Sequence, residues 1–259
     1  MPRIPRKPSE SGFYHVFSRG SGRQIIFEDA SDNERFLTFL ADSLKGSGIS
    51  LHAFCLMSNH YHLVVQSQLA PLSDFAYTLN GNYARYFNKV HNHVGHLFQD
   101  RFRSEPIDND EYFLAAIRYV HRNPVEAGLT STCAYPWSSY TAYIGAASGL
   151  PFPHTSVPVQ TSTALAMLGS VEAFSEFHAH SGKQSFSDDT FIRSQLAVPD
   201  ILAIAREALG GIDPANVKSL PKPDRDCCIH LLRSTNLSIR QIALATSISH
   251  ATIQRICAK

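Results

Sequence analysis

Apolar and polar positions alternate in short runs through the first half of the chain, and longer stretches of helical spacing separate those runs. Phe13–Arg19 (FYHVFSR) alternates and is rich in β-forming residues, which predicts a strand. The stretch SDNERFLTFLADSLKGSG opens on a capping signal at Ser31 or Asp32. It then repeats Phe36, Leu37, Leu40 and Leu44 at helical intervals, which predicts a helix. Two β-rich runs, Ile49–Met57 and His60–Gln66, flank Ser58–Asn59 and predict a hairpin. Phe75, Leu79, Tyr83 and Phe87 step by four through a second helix over about 72–90. His96–Asp108 reads as another strand, and Asp108–Asp110 opens a third helix. Pro124 is expected to end that helix, because proline excludes its predecessor from the helical region. The order is β-α-β-β-α-β-α, an α+β domain.

From Ser148 to about Gln160 the chain is proline-rich and aperiodic, which predicts a linker. The expected organisation is therefore a first domain over 1–147, a linker with a less distinct helical stretch around Ala164–His180 over 148–199, and an all-α region over 200–259. In the last region, Ser238–Ala245 reads as a helix with Ile239, Ile242 and Ala243 inward, followed by a turn at Thr246–Ile248. A second helix is capped by Ser249, with Ile253 and Ile256 inward. This is helix-turn-helix spacing. Arg240 on the first helix and His250, Thr252, Gln254 and Arg255 on the second are residue types that reach bases and phosphates of duplex DNA; a plain helical hairpin has the same pattern.

Composition narrows the chemistry. Of 259 residues, 44% are apolar and 17% charged, and no apolar run approaches the roughly 20 residues of a spanning helix. The N-terminal MPRIPRKPSESG carries basic residues with no apolar stretch behind them, so a cytoplasmic protein without a secretory signal is expected. The formal net charge is +1, but from Lys218 onward it is +5, leaving −4 for the remainder. Five scattered cysteines (Cys55, Cys133, Cys227, Cys228 and Cys257) contain no C-x-x-C pair, which excludes a disulfide framework and a thiolate zinc site. Thirteen histidines are about twice the ordinary share.

H-x-H occurs at His60/His62, His91/His93 and His178/His180, so context has to choose among the three. On a strand, residues two apart share a face, and His60 and His62 present two imidazoles side by side while Tyr61, Leu63 and Val65 face away. Two imidazoles suit a metal with positions left open for a phosphate. The other pairs fall in a polar turn and in a helix and are expected to be surface histidines.

The helix EYFLAAIRYVHRN clusters Phe113, Ile117 and Val120 on one stripe, with Tyr112, Tyr119 and Asn123 on another roughly 100° away. Tyr119 and Asn123 thus set a phenol and an amide oxygen one turn apart, the amide oxygen placed to complete a metal shell. Arg118 and Arg122 flank them as expected phosphate clamps. Attack of Tyr119 on a phosphodiester would leave a phosphotyrosine. Tyr112 and Tyr14 are the rival nucleophiles and rank below Tyr119. Arg3, Arg6, Lys7, Arg19 and Arg23 form an expected strand-binding patch, and Arg101 and Arg103 add to it.

YHVFSRGSGRQIIF, LMSNHYHLVV, GHLFQDRFRSEPID, IRYVHRNPVEAGL and YPWSSY, in this order over about 13–143, resemble the HUH single-strand transposases with one catalytic tyrosine. The resemblance is greatest to the REP-associated tyrosine transposases. It implies a ferredoxin-like (RRM-like) catalytic domain with an antiparallel sheet that binds hairpin-forming single-stranded DNA and cuts it. It places the metal pair on His60 and His62, the third, amide ligand on Asn123 and the nucleophile on Tyr119, with Mg²⁺ or Mn²⁺ as the metal. The middle residue of the pair, aliphatic in the wider superfamily, is Tyr61 here. Two alternatives are a DNA-binding regulator that uses the C-terminal helices, with an inactive first domain, and a replication-initiation or relaxase nickase of the same chemistry.

Overall fold

The computed structural model describes residues 6–150, 152–180, 198–235, 237 and 239–257, without the side chains of 146–148, 198–200, 240, 250 and 251. The chain forms two compact units, residues 1–184 and 185–259. The first contains β1 (Phe13–Arg19), α1 (Ala30–Leu44), β2 (Ser50–Met57), β3 (His60–Gln66), α2 (Leu69–Val90), β4 (Arg103–Ile107) and α3 (Asp110–Glu126). Its sheet runs β2-β3-β1-β4 with every pairing antiparallel. This is the β-α-β-β-α-β order of the ferredoxin-like arrangement.

Alternation divides the sheet into two chemically distinct faces. Tyr14 and Val16 of β1 and Tyr61, Leu63 and Val65 of β3 are buried in one core with Phe36 and Leu40 of α1 and Tyr83 and Phe87 of α2. The opposite face carries Phe13 and His15 of β1 and His60 and His62 of β3. Phe113, Ile117 and Val120 of α3 are buried on that side, where Phe113 packs on Phe13 at 4.4 Å.

The element ends differ from expectation where long-range contacts set them. Asp29, not Ser31 or Asp32, caps α1 by accepting from the Asp32 N–H at 3.0 Å, and the buried Asp32 carboxylate accepts from the Glu28 N–H at 2.8 Å. Helix α2 begins at Leu69, since Pro71 is tolerated in a first turn. Strand β4 is shorter than expected because the segment before it pairs irregularly with the end of β1 and the loop that follows: the Ser21 N–H reaches the Leu97 carbonyl at 2.8 Å and the Gln99 N–H the Arg19 carbonyl at 2.9 Å. Helix α3 passes through Pro124 to Glu126. A proline in the last turn forfeits only its own bond to the Val120 carbonyl. The end is closed by Ala127 N–H to Asn123 (3.0 Å) and Gly128 N–H to Val125 (2.9 Å), with Gly128 at φ +71°.

The expected linker is part of the first unit. Val159 bridges to Leu51 of β2, and the Gln160 N–H reaches the Leu51 carbonyl at 2.7 Å. Helices α4 (Tyr140–Ser148), α5 (Ser162–Leu168) and α6 (Val171–Ala179) follow. The α6 helix packs on α3 through a buried polar chain. His121 Nδ1 lies 3.1 Å from His178 Nε2, His121 Nε2 lies 2.8 Å from Ser139 Oγ, and His178 Nδ1 lies 2.9 Å from the Phe174 carbonyl. The Phe174 ring stacks on Tyr143 at 4.4 Å. His178 is therefore a core residue, not a surface one, and His91 is also engaged, with Nε2 3.0 Å from Asp32 Oδ1.

The second unit contains α7 (Val198–Ala208), a 3-10 turn (Pro214–Ser219), α8 (Lys222–Ser234), α9 (Ile239–Thr246) and α10 (His250–Cys257) around Ala205, Val217, Ile229, Leu232, Ile242 and Ile253. Ser249 caps α10, its Oγ accepting from the Thr252 N–H at 3.3 Å. Ser238, the expected start of α9, lies outside the described residues. Among the described residues no helix is long and apolar enough to cross a membrane.

Burial holds His121 well below the ordinary imidazole value of 6.5 and brings His52 and His178 down to about 4. The neighbouring His178 lowers His121 further; at His178 the Phe174 carbonyl opposes burial, while Arg118 and Arg122 add to it. Such rings stay neutral in the folded state and take up protons first in the unfolded chain. Their contribution is complete above about pH 6.5 and is lost as pH falls toward 4, by up to ~1.4 kcal/mol per pH unit per ring. Urea unfolding followed from pH 7.5 to pH 5 should show a falling midpoint below pH 6.5, with a shallower fall in His178→Phe.

Candidate active site

The site is built on the two-residue turn that joins β2 to β3. Asn59 in that turn is held on three sides. Its carbonyl accepts from the Gly20 N–H at 2.9 Å, its Nδ2 donates to the Arg23 carbonyl at 3.3 Å, and its Oδ1 lies 2.6 Å from His60 Nδ1. Position 20 has to be glycine, since a Cβ there would lie 2.2 Å from the Gln24 carbonyl oxygen. Because Asn59 Nδ2 is committed to Arg23, its oxygen faces the ring, and His60 Nδ1 is the donor. In a neutral imidazole, Nε2 then carries the lone pair.

That Nε2 faces Asn123 Oδ1 at 3.3 Å. The His60 and His62 rings lie 4.9 Å apart on the same face, as the strand spacing predicts. The Tyr119 ring, one helical turn before Asn123, meets His15 and His62 edge-on, 5.6 Å from each. Burial, then the Arg19 charge, lowers His60 to about 4, with the Asn123 contact opposing. His62 is held well below its ordinary value by burial, then by His60, His15 and Arg19. Both rings are neutral bases at pH 7.

The donor set fits a small divalent cation. Two acceptor atoms, His60 Nε2 and Asn123 Oδ1, face each other at 3.3 Å, close to the spacing of neighbouring ligands on an octahedral shell with bonds of roughly 2.1 Å. Among the described residues no three His, Cys, Asp or Glu side chains converge on a metal position, and the oxygen donor beside His60 is the Asn123 amide.

The rival tyrosines are engaged elsewhere. Tyr14 is buried on the opposite face, its hydroxyl accepting from the Ser9 N–H at 2.7 Å. Tyr112 is hydrogen-bonded to Glu105, and burial followed by that carboxylate raises its phenol above the ordinary range. Tyr61 packs on Phe36 at 4.7 Å in the core, and its hydroxyl donates to Asn80 Oδ1 at 2.7 Å. Asn80 in turn donates to Ser18 Oγ at 3.3 Å, so the buried phenol in place of an aliphatic residue is satisfied.

The expected phosphate-binding residues fall into separate groups. Arg19 pairs in register with His60 and Arg103 with Phe17, on the site's face of the sheet. Arg23 follows in the loop that holds Asn59, and Arg101 is exposed in the segment before β4. Arg6 lies over the Phe102 ring at 3.8 Å, and Arg3 is outside the described residues. Arg118 and Arg122, expected as clamps beside Tyr119, instead hold the end of α6. Arg118 stacks over Phe177 at 4.0 Å, and Arg122 Nη1 donates to the His178 carbonyl at 2.8 Å. The orphan carbonyls of a helix C-terminus attract guanidinium groups there. Gln254 and Arg255 are exposed on α10, and the Arg240 side chain lies outside the described set.

Four residues of the site were not anticipated from the sequence: Asn59, His15, Glu105 and Asn80. Only His15 carried a signal, since alternation puts it on the same face of β1 as Arg19.

The sheet thus sets two neutral histidines against a helix that bears a tyrosine and an amide, a combination of metal-ligand and nucleophile side chains on one face. Residues 9–123 match the family model of IS200-like transposases. A solved structure of a REP-associated tyrosine transposase bound to a REP hairpin is 15% identical, covering 58% of this chain and 88% of its own, with a TM-score of 0.47. No curated protein matches the chain.

Because Arg122 is committed to α6, Arg122→Ala should lower the unfolding free energy by about 1.5–3 kcal/mol in urea denaturation. A solvent-facing phosphate clamp would leave it within roughly 0.5 kcal/mol.

Proposed function

We propose that the protein is a metal-dependent strand transferase of the REP-associated tyrosine transposase type, which cuts and rejoins hairpin-forming single-stranded DNA through a covalent 5′-phosphotyrosine. The observation that carries this reading is the convergence of Tyr119, Asn123, His60 and His62 on one sheet face. A phenol of pKa near 10 is a weak nucleophile at neutral pH, so the scissile phosphate has to be polarised and aligned. His60, His62 and Asn123 would hold Mg²⁺ or Mn²⁺, which supplies positive charge to a non-bridging phosphate oxygen.

Tyr119 Oη bonds to phosphorus as the bond from phosphorus to the 3′ oxygen breaks. The phenolic proton passes to solvent, and the departing oxygen takes one up as a 3′ hydroxyl. One phosphate ester replaces another, so the reverse attack by a 3′ hydroxyl rejoins strands without a nucleotide cofactor. Arg19, Arg23, Arg101 and Arg103 surround the strand path with cations suited to backbone phosphates.

The second unit suggests a further contact with DNA. Helices α9 and α10, joined by residues 247–249, have the spacing of a helix-turn-helix, and Gln254 and Arg255 are exposed on the second. In this reading they bind duplex DNA and influence where the first unit acts. The same feature favours the regulator alternative, in which the first unit binds DNA without cutting it.

Labelled single-stranded hairpin oligonucleotides, incubated with the protein and Mn²⁺ or EDTA and resolved by denaturing electrophoresis, test the reading. A metal-dependent covalent protein–DNA band is expected, absent in Tyr119→Phe, which should bind the hairpin with unchanged affinity. Binding without a covalent species in any metal would favour the regulator, and full cleavage by Tyr119→Phe would remove the assigned nucleophile. Alanine at Gln254 and Arg255 together should weaken duplex binding by about 1–3 kcal/mol per lost base contact and leave hairpin cleavage intact.

A further inference from the structure

We propose that His15, backed by Glu105, is a positioning residue that fixes the tautomer of His62 and so turns the His62 Nε2 lone pair toward the site. This rests on the metal reading above only for what that lone pair is used for.

The sheet brings three side chains from three strands into one series. The β1–β4 register sets His15 directly opposite Glu105. The β1–β3 pairing brings the His15 ring alongside His62, 5.2 Å between centroids and 14° from parallel, with His15 Nε2 3.0 Å from His62 Nδ1. Both rings are buried. Two ring nitrogens at that distance need one donor and one acceptor, and the contact alone permits either direction.

Glu105 selects the direction. Its Oε2 lies 3.8 Å from His15 Nδ1, too far for a direct hydrogen bond but within electrostatic reach of the buried ring, the carboxylate itself being 22% exposed. A lone pair on Nδ1 would face the carboxylate, whereas an N–H there points its positive end at it. With the proton on Nδ1, His15 Nε2 accepts and His62 Nδ1–H donates, which leaves the second lone pair of His62 on Nε2. The opposite direction would put a proton on Nε2 and block it as a ligand. His60 reaches the same state by a separate route, through Asn59 Oδ1 on its Nδ1. Each histidine thus has its own outer partner, and a partner that orients a ligating imidazole is typically worth 10–100-fold in metal affinity.

The test uses the full chain labelled with ¹⁵N-histidine. Long-range ¹H–¹⁵N spectra of the metal-free protein should show His62 protonated on Nδ1, shifting toward a mixture in Glu105→Gln. Mn²⁺ titration followed by the electron paramagnetic resonance of the free ion should show affinity reduced 10–100-fold in His15→Phe. Recovery is expected in His15→Gln, whose amide oxygen accepts from the same N–H; circular dichroism establishes that each variant is folded. His62 protonated on Nε2 in the metal-free protein overturns the proposal, as does equal Mn²⁺ affinity in the wild type and a folded His15→Phe. A wild-type protein that takes up no Mn²⁺ overturns the metal reading of the site, and the spectra then decide the tautomer by themselves.

Discussion

The strict alternation of β1 and β3 at the centre of the sheet is the constraint on which the site depends. In His60-Tyr61-His62 the tyrosine enters an aromatic core with Phe36, while the two histidines enter the face beneath α3. A slip of one residue in the β1–β3 pairing would drive both imidazoles into the hydrocarbon core and expose the tyrosine. The core therefore enforces the register of the chemistry. Asn80 reinforces it by satisfying the Tyr61 hydroxyl, which could not otherwise be buried without penalty.

Burial of the imidazoles has a second consequence. A buried ring disfavours its charged form, so His60 and His62 remain neutral where exposed histidines would be partly protonated. Neutral rings have one donor and one acceptor nitrogen, and which is which has to be set by neighbours. Asn59 does so for His60 from within the hairpin turn, and the turn is itself tied to the loop after β1 through Gly20 and Arg23. The close approach at Gly20 connects backbone geometry to the tautomer of a side chain forty residues later.

The helix that carries Tyr119 and Asn123 is supported from its far side as well. Its His121 is hydrogen-bonded to His178 of α6 and to Ser139, and Arg118 and Arg122 hold the C-terminal end of α6. The first unit thus continues beyond the segment matched by the transposase model. Residues 157–160 pack on β2 and the α1–α2 core and α6 packs on α3, so this stretch does not form a tether.

The contrast between local and long-range information runs through individual residues. Strands β1 and β3 were legible because period-two alternation is a property of the chain itself, and the shared face of His60 and His62 follows from it. The i, i+4 pairing of Tyr119 and Asn123 is equally local, a consequence of helical pitch. The cap at Asp29, the extension of α3 through Pro124, the burial of His178 and the engagement of Arg118 and Arg122 were not legible, because each depends on a partner from a distant element. His15 and Glu105 show the difference most clearly: nothing in their ninety-residue separation relates them, and only the β1–β4 register sets them side by side. Sequence alone determined the periodicities and the residue types available to the candidate site. Tertiary structure decided which polar groups are buried together, because the energies that orient an imidazole or occupy a guanidinium arise between elements and leave no local pattern.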